Sequence, residues 1–201
     1  MIVRPFVSFI APLVLCAPAL AQTHPACGSE HRYRWKQKVD TTLTAVAVET
    51  TTVGQMLAHW TARAIGHANW CTERADRETR VFTLVAWVRF VKEESHDDDW
   101  HVELTSNRAS PRTSCIVAEI PSDDYGAMFA AVRDSFLAVT GMGGVREQGD
   151  TLRPPVKIRV TGPAFYDGWH GSATGARGHG HCNKSKRALW EIHPVYRIEH
   201  P

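Results

Sequence analysis

The chain has almost no net charge. Lys and Arg number 23 against 21 Asp and Glu, and with 11 His neutral at pH 7 the sum is +2. Without a field of one sign, a polyanion cannot be held by the surface as a whole, so a nucleic-acid partner has to rest on a local patch. Cysteine is scarce too. There are five in 201 residues, and no two stand close enough for the Cys-x-x-Cys pair typical of zinc sites. No Gly-x-Ser-x-Gly elbow is present, which removes the serine-nucleophile arrangement of the α/β-hydrolases. The glycine cluster Gly141-Met142-Gly143-Gly144 follows a helical pattern instead of opening one, so it reads as a cap and turn and not as a phosphate cradle. Internal repeats are absent.

A long apolar run is missing as well. Phe6 to Leu15 is too short, and Pro5, Pro12 and Pro18 interrupt it too often, for a membrane span. With Arg4 before it and Ala19-Leu20-Ala21 after it, residues 1–21 read as a secretory signal peptide. Cleavage would leave 22–201, long enough for one well-buried domain, at net charge +1 once Arg4 is gone. Four cysteines would remain: Cys27, Cys71, Cys115 and Cys182. An even count in an exported chain suggests two disulfides, with three connectivities open, and leaves no thiol nucleophile. The expected location is periplasmic or extracellular.

What is present is a set of periodic segments. Thr52 can cap a helix in which Val53, Met56, Leu57, Trp60 and Ala64 share one face, ending at Gly66. Alternating apolar residues from Arg80 to Phe90 predict a first strand, for which that helix is the expected cover. Asp99–Thr105 and Ser114–Ile120 predict two more. Ser122 then caps a helix whose buried stripe is Tyr125, Met128, Val132, Phe136 and Val139, stopped by Gly141. A fourth strand runs from Val156 and a fifth over Arg187–Ile198, with a long loop, Asp167–Lys186, between them. The order β-β-β-α-β-β is that of an OB-like five-stranded Greek-key barrel, here behind an N-terminal extension (22–79) carrying the covering helix; the barrel domain would be 80–201.

The most informative strings are Asp99-Trp100-His101-Val102-Glu103-Leu104, Ala118-Glu119-Ile120-Pro121 and Trp190-Glu191-Ile192-His193-Pro194. Titratable and apolar residues alternate in each. If Trp100, Val102, Ile116, Ala118, Trp190 and Ile192 face the core, then Asp99, His101, Glu103, Glu119, Glu191 and His193 share the opposite face. In the barrel order the second strand pairs with the third, and the third lies parallel to the fifth, so the three strings meet. A parallel pairing also brings Cys115 beside Cys182, which leaves Cys27 for Cys71.

These strings, together with Gly162-Pro163-Ala164-Phe165-Tyr166-Asp167-Gly168-Trp169-His170-Gly171 and Glu191-Ile192-His193-Pro194-Val195, resemble a family of exported bacterial proteins of unassigned function. The resemblance spans roughly 80–198 and implies an exported β-rich domain, with no established activity. Between Gly171 and Trp190 the chain departs from the pattern: a longer basic insert, bearing His and Cys, replaces a Gly-rich link.

Carboxylates and imidazoles on adjacent strands suit general acid–base work or a divalent metal, with His101, Glu119 and His193 the candidate ligands. A buried hydrogen-bonded network that merely supports the strand ends is the structural alternative. Asp167 and His170 either deliver a base to this face or close an Asx turn. His179 and His181, flanked by glycine, read as a solvated loop. Trp169 is the candidate stacking platform, whereas Trp100 and Trp190 have core parity. Arg177, Lys184, Lys186 and Arg187, with Lys157 and Arg159, are the only material for a nucleic-acid patch, and the carboxylates oppose it. The functional expectation is a binding or accessory module of unknown ligand; the alternative is a metal-dependent, phosphodiesterase-like hydrolase on the same face.

Overall fold

The structure, a computed structural model, describes residues 33–66, 68–172, 175–176 and 178–201. The signal-peptide segment and Cys27, and with it the Cys27–Cys71 pairing, lie outside the described residues. Three α-helices are described: α1 Trp35–Lys38, α2 Val53–His59 and α3 Ala127–Thr140. The strands are β1 Val48–Thr50, β2 Val81–Glu93, β3 Trp100–Thr105, β4 Cys115–Ile120, β5 Asp150–Tyr166, β6 Gly171–Ser172, β7 Gly175–Ala176, β8 Trp190–Ile192 and β9 Arg197–Glu199. The fold is mainly β. Seven strands form one mixed sheet in the order β1-β2-β3-β4-β8-β5-β9, and β2 also pairs with β5. Hydrogen bonds therefore run in a closed ring through β2, β3, β4, β8 and β5.

Period-two alternation builds the inside of this ring. Val102, Leu104, Ile116, Ala118, Ile158 and Ile192 are almost completely buried in one apolar core, with Trp100 and Trp190 among them as parity required. The parallel pairing of β4 with β8 and the antiparallel pairing of β3 with β4 are as the sequence order implied.

Three local expectations need correction. Thr52 does cap α2, accepting from Gln55 N–H at 3.0 Å, but the helix stops at His59 and does not reach Ala64. Trp60 turns extended and drops its ring against Phe82 and Trp190, a packing gain the helix could not offer. Accordingly α2 lies over β4 and the 3₁₀ turn Lys186–Leu189; its reach to β2 is through Trp60 at its end. Ser122 caps the 3₁₀ turn Asp123–Tyr125, while α3 starts after Gly126 and ends at Gly141, whose φ of 72° supplies the left-handed cap. The fifth strand is split: β8 stays with β4 and β5, the chain turns at His193-Pro194, and β9 re-pairs with β5 farther along. Proline has no N–H to continue the ladder.

Candidate functional site

On the outer face of the ring the three strings do form one surface. His101 pairs with Glu119, Glu103 with Val117, Val117 with Glu191 and Glu191 with Phe165, so these side chains project together. The face is buried nonetheless. α1 and its neighbours, the Glu94–Asp99 turn, and residues 167–170 and 178–182 cover it, and Asp99, His101, Glu103, Glu119, Asp167, Glu191 and His193 are each more than nine-tenths buried.

Burial forces the groups into pairs. Glu191 accepts from His179 Nε2 at 2.6 Å and from His193 Nδ1 at 3.1 Å. Although burial alone would raise the Glu191 pKa, these two imidazoles hold it well below the usual carboxylate range. His193 Nε2 stands 3.4 Å from Asp99 Oδ2, an ion-pair distance without an aligned hydrogen bond. Burial opposes the charged His193 ring, but Asp99 and Glu191 outweigh it and raise its pKa. His101 Nδ1 donates to Glu119 Oε1 at 2.9 Å. Glu119 is pushed up, first by burial and further by Glu191.

The loop bearing His179 and His181 is a correction to the solvated reading. His179 is buried against Glu191, and His181 places both its backbone N–H and its Nδ1 on Glu103 Oε1, at 2.7 and 2.8 Å. Gly180 makes this possible: at φ 55° a Cβ there would stand 2.5 Å from Glu103 Oε1 and 2.7 Å from His101 Nε2. The Cys115–Cys182 disulfide, which forms as the topology suggested, ties the same loop to the start of β4. Asp167 accepts from Trp169 N–H at 2.9 Å, the Asx-turn reading, and His170 Nε2 lies 3.7 Å from Asp167 Oδ2.

A cavity of about 320 Å³ opens over this face. Its described lining includes Asp99, His101, Glu119, Asp167 and His170 from the expected set, and Lys38, Glu94 and Asp97, which the sequence did not single out. Asp97 lies on a charged turn and Lys38 on a short helix, so no period marked either. Lys38 Nζ is 3.8 Å from Asp97 Oδ2. Burial works against the Lys38 ammonium, yet Asp97, Asp167, Glu191 and Asp99 together raise its pKa above the ordinary value. Asp97 is pushed up to about 7 by burial and by Asp99. One wall is aromatic: Trp70 and Trp169 meet with centroids 5.0 Å apart, and Tyr33 packs on both at 6.0 Å.

Glu103, Glu191, His193 and His179 sit under the cavity and are not part of its lining. The metal candidates His101, Glu119 and His193 do not bring their ligand atoms within 4.8 Å of one another. Among the described residues that spacing is met by Glu103 with Cys115 and Cys182, whose sulfurs are already joined.

The His101 pair predicts a pH dependence. Burial opposes protonation, but Glu119, Glu103 and Glu94 raise its pKa to about 10. The stabilisation is therefore complete below about pH 6.5, the unfolded value, and is lost as pH rises toward 10. Urea unfolding at pH 6, 8 and 10 should show a loss on the order of 1 kcal/mol or more in the wild type that His101→Gln lacks. Parallel profiles for the two proteins would show that this histidine is neutral in the folded state.

Comparison with protein-family models, with curated proteins and with solved structures finds no match to this chain.

Proposed function

We propose that the chain is an exported binding module on an OB-like five-stranded Greek-key barrel, with its ligand site in the cavity over the acidic and His-bearing face. The observation that carries this reading is that four of the ten buried polar atoms without a hydrogen bond among the described residues, Tyr33 Oη, Asp99 Oδ2, His101 Nε2 and Glu119 Oε2, belong to residues lining a single cavity. Buried polar groups ordinarily find hydrogen bonds, so four such atoms around one cavity mark a place where the polar groups of a ligand would be matched. The barrel assignment is supported by the ring order β2-β3-β4-β8-β5 with α3 between β4 and β5. The disulfide and the leader-like segment support export, as does the motif resemblance.

A hydrolase on the same face is the second reading. What favours it is that Glu119, which lines the cavity beside His101, is pushed up, the setting a general acid requires. Its metal-dependent form lacks a converged ligand trio in this arrangement. A nucleic-acid partner is opposed by the carboxylates, which repel phosphate.

Thermal unfolding of the mature chain against Zn²⁺, Mn²⁺, Mg²⁺, amines, neutral sugars and nucleotides tests the proposal. The expected result is a saturable rise in Tm with one class, weakened at least tenfold in Glu119→Gln. A flat response to every class overturns the binding reading. Strong stabilisation by a first-row metal, with turnover of a phosphodiester abolished in His101→Ala, would select the hydrolase instead.

A further inference from the structure

Resting on that binding reading, we infer that the cavity takes a small organic cation, a primary ammonium or guanidinium group, with Asp97, Asp99 and Glu119 as counter-charges and Tyr33, Trp70 and Trp169 as its wall. Three independent observations converge on it. The first is charge. The described lining holds five carboxylates, from Glu94, Asp97, Asp99, Glu119 and Asp167, against one ammonium, Lys38, and three imidazoles, His96, His101 and His170. Lys38 is the internal precedent for what this space accepts, but 3.8 Å to Asp97 is too long for a hydrogen bond, so the carboxylate is not satisfied by it.

The second observation is the unpartnered atoms. Glu119 Oε2 is an acceptor with no donor among the described residues, and Asp99 Oδ2 has only the unaligned His193 Nε2 contact at 3.4 Å, both on residues more than nine-tenths buried. A ligand that brings N–H donors and positive charge satisfies both at once; an anion would meet only repulsion, and a neutral hydroxyl would leave the charge unmatched. Asp97 is pushed up to about 7, first by burial and then by the neighbouring Asp99 charge.

The third is the wall. Tyr33, Trp70 and Trp169 pack edge-on or tilted to one another, and they border the same space as the carboxylates. Aromatic faces attract ammonium and guanidinium groups, most strongly where water is displaced. At about 320 Å³ the cavity stands at the small end of ligand pockets, which suits a single cationic head group.

Isothermal titration of the mature chain tests this with n-butylammonium, its neutral isostere butan-1-ol, butyrate and methyl α-glucoside. Butylammonium is expected to bind at least tenfold more tightly than butanol, with butyrate silent. Asp97→Asn should weaken butylammonium about tenfold, as should Glu94→Gln, a partly exposed position whose change does not threaten folding. Equal binding of butanol, or unchanged affinity in both variants, overturns the inference. If methyl α-glucoside binds and butylammonium does not, the binding reading stands and the cation falls. If this panel and the metals and nucleotides above are all silent, both fall.

Discussion

Glu191→Ala should destabilise the protein by roughly 3–5 kcal/mol, the range for removing one partner from a buried ion pair. In a domain of this size each kcal/mol moves Tm by about 2–4 °C, so the midpoint should fall by about 10 °C. The carboxylate is the shared acceptor of His179 and His193, both buried, and its loss strands two imidazoles. His179 is the more exposed to that loss, because its Nδ1 has no hydrogen bond among the described residues, whereas His193 Nε2 keeps an ion-pair contact to Asp99. Glu191→Gln keeps an acceptor and should cost less. The sign with pH is also defined. Because the folded pKa of Glu191 is depressed, its contribution is present above about pH 4.5 and is lost as the medium is acidified through the folded value. Calorimetry at pH 7 and pH 3 should therefore show wild type and Glu191→Ala converging in acid. A change of less than about 1 kcal/mol at pH 7 would mean that the two histidines find other acceptors.

The second large effect is expected at Glu78, which is fully buried away from the cavity. Its two oxygens take a bidentate pair from Arg34 at 2.8 and 2.9 Å, Arg63 donates to it as well, and Tyr166 N–H donates at 2.7 Å. Burial already lowers the Arg34 pKa, so this guanidinium depends on its counter-ion. Glu78→Ala should again cost roughly 3–5 kcal/mol. It should also loosen the residues around α1, since Arg34 further anchors that segment to Thr72 O and Tyr166 O. Limited proteolysis should then cut after Lys36 or Lys38 at a rate at least tenfold faster than in the wild type. Arg34→Met combined with Glu78→Leu should recover only part of that loss, because a buried pair replaced by apolar groups is often neutral but Arg63 and Tyr166 N–H still lose their acceptor. Undiminished protease resistance in Glu78→Ala would show that the segment is held by its apolar contacts, Trp35 and Val39 on Phe129, instead.

The period of two made the site legible. Strands β3 and β4 fall where the alternation placed them, Glu119 and Glu191 share a face, and the parallel pairing that puts them together was implied by element order. The same topology brought Cys115 to Cys182. What the strings could not show is their covering. A strand's alternation sorts residues into two faces but says nothing of which distant segment lies on either, so a face that read as open is in fact roofed. Lys38 and Asp97 meet across 59 positions, and neither sits in a periodic run. His179 and His181 were misread for a related reason: flanking glycines suggest freedom, whereas Gly180 is there because backbone must press against Glu103 and His101. The helix α2 was overextended because apolar spacing continued past Trp60, where packing against Phe82 and Trp190 took over.

The roofed face has a consequence for how the molecule can be cut or built. Tyr33 and Lys38, Glu94 and Asp97, Glu119, and the set Asp167, Trp169, His170 and Gly178 each bring one wall of the cavity, and Arg74 ties α1, β5 and the turn after β8 together by bonding Gln37 O, Ala164 O and His193 O. No fragment shorter than 33–178 contains the whole described lining, and excision of the first helical turn removes Lys38 from it. Sequence-distant contacts of this kind are slow to form. The pocket should thus close late in folding, once segments as far apart as Tyr33 and Gly178 have met.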